Sequence, residues 1–205
     1  MNAIIETRST KLSLAIFFID DYTKEEPVGS LNISLKDRDY KAVKNPSGYY
    51  LFLDLPDQVY TIQVESDFYF AESMYVQLSS LTQNNPTKEI VLKPKPAYQF
   101  PNGATLVRGM VLDQNENPIP NATVEIKEKN LKTLTSEKGE YVIYFPDLKA
   151  NDIIKEKGKR FVKTQNGKSI RVEATIPNDS NGKTLDSVEE GITTKAPTIE
   201  LNTSC

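Results

Sequence analysis

The sequence has no histidine, and its one cysteine is Cys205. Without histidine there is no Ser-His-Asp or Cys-His nucleophile system and none of the usual zinc, copper or non-haem iron sites, so most hydrolase chemistry is excluded and no metal or cofactor is expected. A single cysteine cannot close an intrachain disulfide, and nothing indicates an oxidising compartment; a bridge to a second chain through Cys205 stays open. Neither sign of charge dominates, with 25 Lys and Arg against 28 Asp and Glu for a net charge of -3. That balance argues against general nucleic-acid binding. No apolar run is long enough to span a bilayer. The longest, LSLAIFFI at residues 12–19, runs into Asp20 and Asp21 without a small-residue cleavage site. It reads as a first strand rather than a signal-peptide core, and the expectation is a cytoplasmic protein, or part of a particle assembled there, with no membrane partner.

What is present is β pattern. Short runs of β-branched and aromatic residues are broken by Gly, Pro, Asn and Asp, and no amphipathic helix of three turns appears. The nearest candidate, residues 150–160, is interrupted by Gly158. In KNPSGYYLFLDLP, residues 44–56, the series Asn45, Pro46, Ser47, Gly48 suits the four positions of a type I turn and predicts a hairpin. The strand that follows puts Tyr50 and Phe52 on one face and Tyr49, Leu51 and Leu53 on the other. Both faces are apolar, whereas one face of a small antiparallel sheet ordinarily meets water. The outer row therefore needs a cover: a partner subunit, or internally the neighbouring domain or a flanking loop.

The chain is duplicated. Pro27 and Pro118, Ile33 and Val124, Leu35 and Ile126, Gly48 and Gly139, and Tyr50 and Tyr141 each lie 91 positions apart. Further on, Ile62, Val64 and Glu65 align with Ile170, Val172 and Glu173 at a separation of 108. The second copy has therefore gained about 17 residues between these blocks. Pro94, Pro96 and Pro101 favour an extended connection between the copies. The expected domains are residues 1–93, a proline-rich linker over 94–104, and residues 105–205 with a basic insertion at about 149–168.

VRGMVLDQNENPIPNATVEI followed by TSEKGEYVIYFPDL resembles the carboxypeptidase regulatory-like domain, a small transthyretin-like β-sandwich. Gly109 and Val111 fill its Gly-x-Val opening strand, Pro118, Ala122 and Val124 its Pro-x-x-x-Ala-x-Val step, and Ser136, Gly139 and Tyr141 its Ser-x-x-Gly-x-Tyr hairpin. The first copy keeps Pro27, Gly48 and Tyr50, with Phe18 at the place of the opening glycine. The resemblance implies a non-catalytic accessory or binding module, brings no active-site residues, and implies that the hairpin tyrosine faces the core. NPSGYYLFLDLP together with PAYQFPNGATLVRG is also similar to small two-domain proteins of phage-tail-like contractile injection particles. That similarity implies a structural role as adaptor or cap component.

The remaining candidate sites are weaker. DQNEN at residues 113–117 opens like a calcium loop, but Pro118 and Val124 stand where glycine and a bidentate glutamate are needed, so it reads as a strand connection. Asp20 and Asp21 are adjacent, point to opposite faces and end a strand. In DFYF, residues 67–70, Phe68 and Phe70 share one face and Tyr69 takes the other; the plain reading is core packing with one exposed ring, and the sharper one a sugar platform. Residues 149–168 carry seven basic side chains against Asp152 and Glu156, which reads as a solvated loop or as a docking segment for an acidic protein surface.

The sequence thus predicts an all-β chain of two tandem antiparallel β-sandwiches, transthyretin-like or Ig-like, that is not an enzyme. Its expected role is structural or adaptor, and its partners are protein subunits of a larger assembly. The candidate contact residues are Tyr49, Leu51 and Leu53 in the first copy and Lys155, Lys157, Lys159, Arg160 and Lys163 in the second. An autonomous sandwich binding carbohydrate or a small ligand is the alternative.

Overall fold

A computed structural model describes residues 9–36, 38–82 and 85–203. The chain divides into two compact units, Met1–Pro94 and Lys95–Cys205. The first unit contains β1 (Leu12–Asp20), β2 (Leu31–Leu35), β3 (Arg38–Lys41), β4 (Val43–Lys44), β5 (Tyr50–Leu53), β6 (Val59–Ser66), β7 (Glu72–Gln77) and β8 (Thr87–Leu92). The second contains β9 (Leu106–Leu112), β10 (Thr123–Ile126), β11 (Leu131–Leu134), β12 (Glu140–Tyr144), β13 (Ile153–Glu156), β14 (Lys159–Val162), β15 (Ile170–Ile176), β16 (Asp179–Leu185), β17 (Thr193–Lys195) and β18 (Ile199–Glu200). Among the described residues there is no α-helix, only three single 3₁₀ turns.

Both units are sandwiches of the same topology. In the first, one sheet runs β4-β5-β1-β8 and the other β3-β2-β6-β7; in the second, β12-β9-β17 with β18 also on β9 faces β11-β10-β15-β16. Alternation along each strand supplies the core. Leu14, Ile16, Phe18 and Phe52 are buried on one sheet of the first unit, and Ile33, Leu35, Tyr60, Ile62, Val64 and Val76 on the other. In the second, Val107, Val111, Tyr141 and Ile143 meet Val124, Ile126, Ile170, Val172, Ala174 and Leu185. Each fully buried aliphatic or aromatic side chain contributes about 1.5–3 kcal/mol.

Three pairings depart from the antiparallel pattern. β8 lies parallel to β1, and β17 and β18 lie parallel to β9. A parallel neighbour needs a crossover connection, and in each unit the chain reaches it by passing through the opposite sheet.

The hairpin turns agree in detail. Gly48 N donates to Asn45 O at 3.1 Å and Gly139 N to Ser136 O at 2.8 Å, with both glycines at positive φ. A Cβ on Gly139 would sit 2.5 Å from the Val111 carbonyl oxygen, so the turn backbone is pressed against β9.

Strand pairing corrects two alignments. Ile33 faces Val64 and Leu35 faces Ile62, while Val124 faces Ala174. With β2 and β10 equivalent, Val64 therefore corresponds to Ala174 rather than Val172, a slip of two. Likewise Tyr141 faces Gly109 while Tyr50 faces Ile16. Ile16, not Phe18, holds the place of the opening glycine.

That exchange has a packing consequence. The Tyr141 ring folds back across Gly109, where a Cβ would lie 2.4 Å from its hydroxyl, and the side chain is buried in the core. Burial raises the Tyr141 hydroxyl pKa well above the ordinary tyrosine value. Opposite the bulkier Ile16, Tyr50 is only half-buried, edge-on to Phe18 at 5.3 Å with the Lys44 ammonium 5.4 Å from its centroid. Phe52 is interior as the resemblance implies; Tyr50 sits at the margin of the core.

Candidate functional site

The outer face of the β4-β5-β1-β8 sheet gathers the first set of candidate residues. Leu51 lies opposite Ala15 on one side and Val43 on the other, and Leu53 lies opposite Leu12. Tyr49 precedes β5, held by its amide's bond to Asn45 Oδ1 at 2.9 Å, and its ring packs 5.2 Å from Phe17. On the far side Ile19 faces Val91. Tyr49, Leu51, Leu53, Phe17 and Ile19 are half-buried, while Leu12, Val43 and Val91 are 40%, 57% and 47% exposed. Neighbouring side chains on the same sheet thus shield the middle of the row, and its flanks meet solvent. The result is an apolar strip over β4, β5 and β1 that reaches β8 at Val91, with Glu89 beside Phe17.

The equivalent face of the second unit is closed to solvent at its middle. Glu140, Val142 and Tyr144 form the outer row of β12, which the sequence presents as a row that tolerates water. Val142 is instead fully buried, as is Leu106 on neighbouring β9. Residues 95–104 pack on this face through Arg108 and Tyr144. Arg108 Nη1 donates to Pro96 O at 2.8 Å, the Arg108 guanidinium lies 5.6 Å from the Phe100 centroid, and Phe100 packs against Tyr98 at 4.7 Å and Tyr144 at 5.6 Å. Tyr98 is itself buried. Desolvation under this strap lowers the Arg108 pKa from its ordinary value.

The basic insertion is an ordered hairpin. β13 pairs with β14 through a turn in which Lys157 and Gly158 both have positive φ. The hairpin is sewn to residues 188–190: Val162 N donates to Val188 O at 2.9 Å and Glu190 N to Arg160 O at 2.8 Å. Lys159 Nζ reaches Glu189 at 2.8 Å, Arg160 forms a two-pronged pair with Glu190, and Lys168 pairs with Glu156. Arg160 holds the Glu190 carboxyl below the ordinary glutamate range through hydrogen bonding and charge. Two of the five candidate cations, Lys159 and Arg160, are therefore committed within the unit. Lys155, Lys157 and Lys163 are exposed and have no carboxylate within ion-pair distance among the described residues.

Several lesser candidates resolve into local structure. Asp113 Oδ1 accepts from the amides of Asn115 and Asn117, both at 2.8 Å, and Asn117 Nδ2 donates to Oδ2. These bonds hold the Asp113 pKa below the ordinary aspartate value, and the loop is a self-contained turn. Asp20 ends β1 with its carboxylate fully buried. Its Oδ1 accepts from Tyr22 N at 2.7 Å and its Oδ2 from Tyr69 Oη at 2.7 Å. Tyr69 is buried while Phe68 and Phe70 are half-buried, the reverse of the expected arrangement. With its hydroxyl turned inward to Asp20, Tyr69 offers no stacking face to a sugar. Cys205 lies outside the described residues.

Among the described residues, no group of three or more His, Cys, Asp or Glu is arranged to hold a metal ion. None of their helices is long and apolar enough to cross a membrane. Tyr98 and Phe100, aromatic residues inside the proline-rich stretch, are the sequence's signal that this segment packs on a sandwich.

No protein-family model matches the chain, and no curated protein matches it. Among solved structures, the Bacillus anthracis TIE protein aligns with 93% of this chain at 15% identity and a TM-score of 0.31. This chain spans 34% of that protein. GBS52, the minor pilin of Streptococcus agalactiae, aligns over 94% of this chain and 97% of its own at 15% identity and a TM-score of 0.32. The shaft pilin spaA of Lactobacillus rhamnosus GG aligns over 96% and 99% at 10% identity and a TM-score of 0.25. At these TM-scores the alignments carry no argument about fold or function.

Proposed function

We propose that this chain is a non-catalytic structural or adaptor protein that makes protein-protein contacts in a larger assembly. The observation that carries the reading is the contrast between the two outer faces. Val142 and Leu106 are buried on the face where Phe100 packs on Tyr144 and Arg108, whereas the corresponding strip of the first unit leaves Val43 and Val91 about half exposed at its flanks. Tyr49, Leu51 and Leu53 form the middle of the strip, and a partner surface laid across it would bury all of them. Burial at about 25 cal/mol per Å² of apolar area makes such a strip worth several kcal/mol to an assembly. Lys155, Lys157 and Lys163 on the second unit's hairpin form a lesser contact for acidic side chains, with Lys159 and Arg160 holding the hairpin in place.

The finer reading, a carboxypeptidase regulatory-like protein serving as cap or adaptor of a phage-tail-like contractile injection particle, rests on the sequence resemblances at residues 105–148, 45–56 and 96–109. Co-purification with particle proteins would support it. Retention on immobilised polysaccharide without protein partners would favour the carbohydrate-binding alternative and count against the assembly role.

A further inference from the structure

We propose that the chain self-associates through β7, which pairs antiparallel with β7 of a second copy about a two-fold axis at Tyr75. β7 is the last strand of the β3-β2-β6-β7 sheet. One edge is bonded to β6 in an unbroken six-residue register, from Val59 opposite Gln77 to Val64 opposite Glu72. Among the described residues no strand pairs with its other edge. A free edge is a row of backbone donors and acceptors that templates another strand, and folded proteins guard such edges with lysine, proline, bulges or brevity.

The other edge strands of the first unit are guarded in this way. β3 carries Arg38 and Lys41 and joins β2 through an irregular register, β4 is two residues long with Lys44, and β8 carries Lys88. β7 reads ESMYVQ, with no lysine, arginine or proline, and its one charge is Glu72 at the start. In mid-strand Tyr75 stands 77% exposed.

The register follows from the pleat. Ser73, Tyr75 and Gln77 share the outer face, and Glu72, Met74 and Val76 the inner one, where Val76 is buried. Partners across an antiparallel pair must share a face, so one-residue slips are excluded. An axis at Met74 would set the carboxylate of Glu72 against the apolar Val76 of the second copy. An axis at Tyr75 sets ring against ring, Met74 against Val76 and Ser73 against Gln77, and carries Glu72 beyond the neutral centre. Facing aromatic pairs are among the favourable cross-strand contacts. This contact uses a different strand, sheet and face from the apolar strip, so either can fail without the other.

Sedimentation of the full chain tests it, with the expected result a concentration-dependent dimer. Tyr75→Lys places two ammonium groups at the axis and should weaken that dimer by about tenfold or more, with thermal melting unchanged because the side chain is exposed. In a Cys205→Ser background, Tyr75→Cys should form an intermolecular disulfide on mild oxidation, since facing Cβ atoms lie about 4.5–5.5 Å apart. Ser73→Cys, which faces Gln77, should not. A chain still monomeric at about 1 mM, a dimer indifferent to Tyr75→Lys, or equal bridging by both cysteine variants would overturn the proposal.

Discussion

The hydroxyl of Tyr69 donates to Oδ2 of Asp20 at 2.7 Å, joining two buried side chains 49 positions apart. The same hydroxyl accepts from Val28 N at 3.0 Å, and Asp20 Oδ1 accepts from the amides of Tyr22 and Thr23. One carboxylate and one phenol thus fix the path of residues 20–28 between the first two strands. Tyr69→Phe leaves Asp20 short of a donor and Val28 N short of its acceptor. The expected loss is roughly 1–3 kcal/mol, the cost of stranding buried polar groups. Urea unfolding of the first unit's transition measures it; a loss within experimental error would mean that the loop is held by other contacts.

Gly109 and Tyr141 make the second prediction. Gly109→Ala drives a methyl group into the Tyr141 ring, at 2.4 Å from the hydroxyl and 2.6 Å from Cζ. Overpacking of this kind costs about 1–3 kcal/mol. Adding Tyr141→Leu should recover part of that loss, because the clash is with the ring. Equal stability of the single and double variants would show that the strand itself, not the ring, rejects the side chain.

The hairpin of the second unit should depend on pH. The folded-state pKa of Glu190 is depressed, chiefly by its hydrogen bond with Arg160 and then by that charge. A depressed carboxylate stabilises above its unfolded value, and the contribution disappears as pH falls through the lower folded value. Amide shifts of Val162 and Glu190, whose N–H groups bond across this seam, should therefore move together below roughly pH 4. In Glu190→Gln the shared transition should vanish. Its persistence in that variant would assign it to another carboxylate.

Much of the fold is legible in the residues, for identifiable reasons. Asn45 to Gly48 and Ser136 to Gly139 encode their turns through side-chain acceptors and glycine backbone freedom, and both form. Strand existence follows from alternation at Ile33 and Leu35, or Ile62 and Val64. The two alignment errors are each a slip of two residues, because a period-two pattern looks the same after an even shift. Only hydrogen bonding, as in Ile16 opposite Tyr50, distinguishes the registers. The candidate surfaces were less legible. Val142 reads as an outer position and is one, yet it is fully buried, and the period-two pattern of β12 carries no signal for what closes that face. Lys159 and Arg160 read as free charge until Glu189 and Glu190, 30 positions on, are brought beside them.

The measurement closest to the central claim is co-purification of the full chain with its assembly, comparing the natural sequence with Val43→Glu and Val91→Glu combined. Both positions lie at the exposed flanks of the strip, so the variant should melt as the natural chain does. Adding Leu51→Glu extends the change into the middle of the strip. The account predicts that the folded double variant is lost from the assembly while a change of equal charge away from both the strip and β7, such as Lys138→Glu in the exposed turn before β12, is retained. Undiminished incorporation of the folded double variant would contradict it.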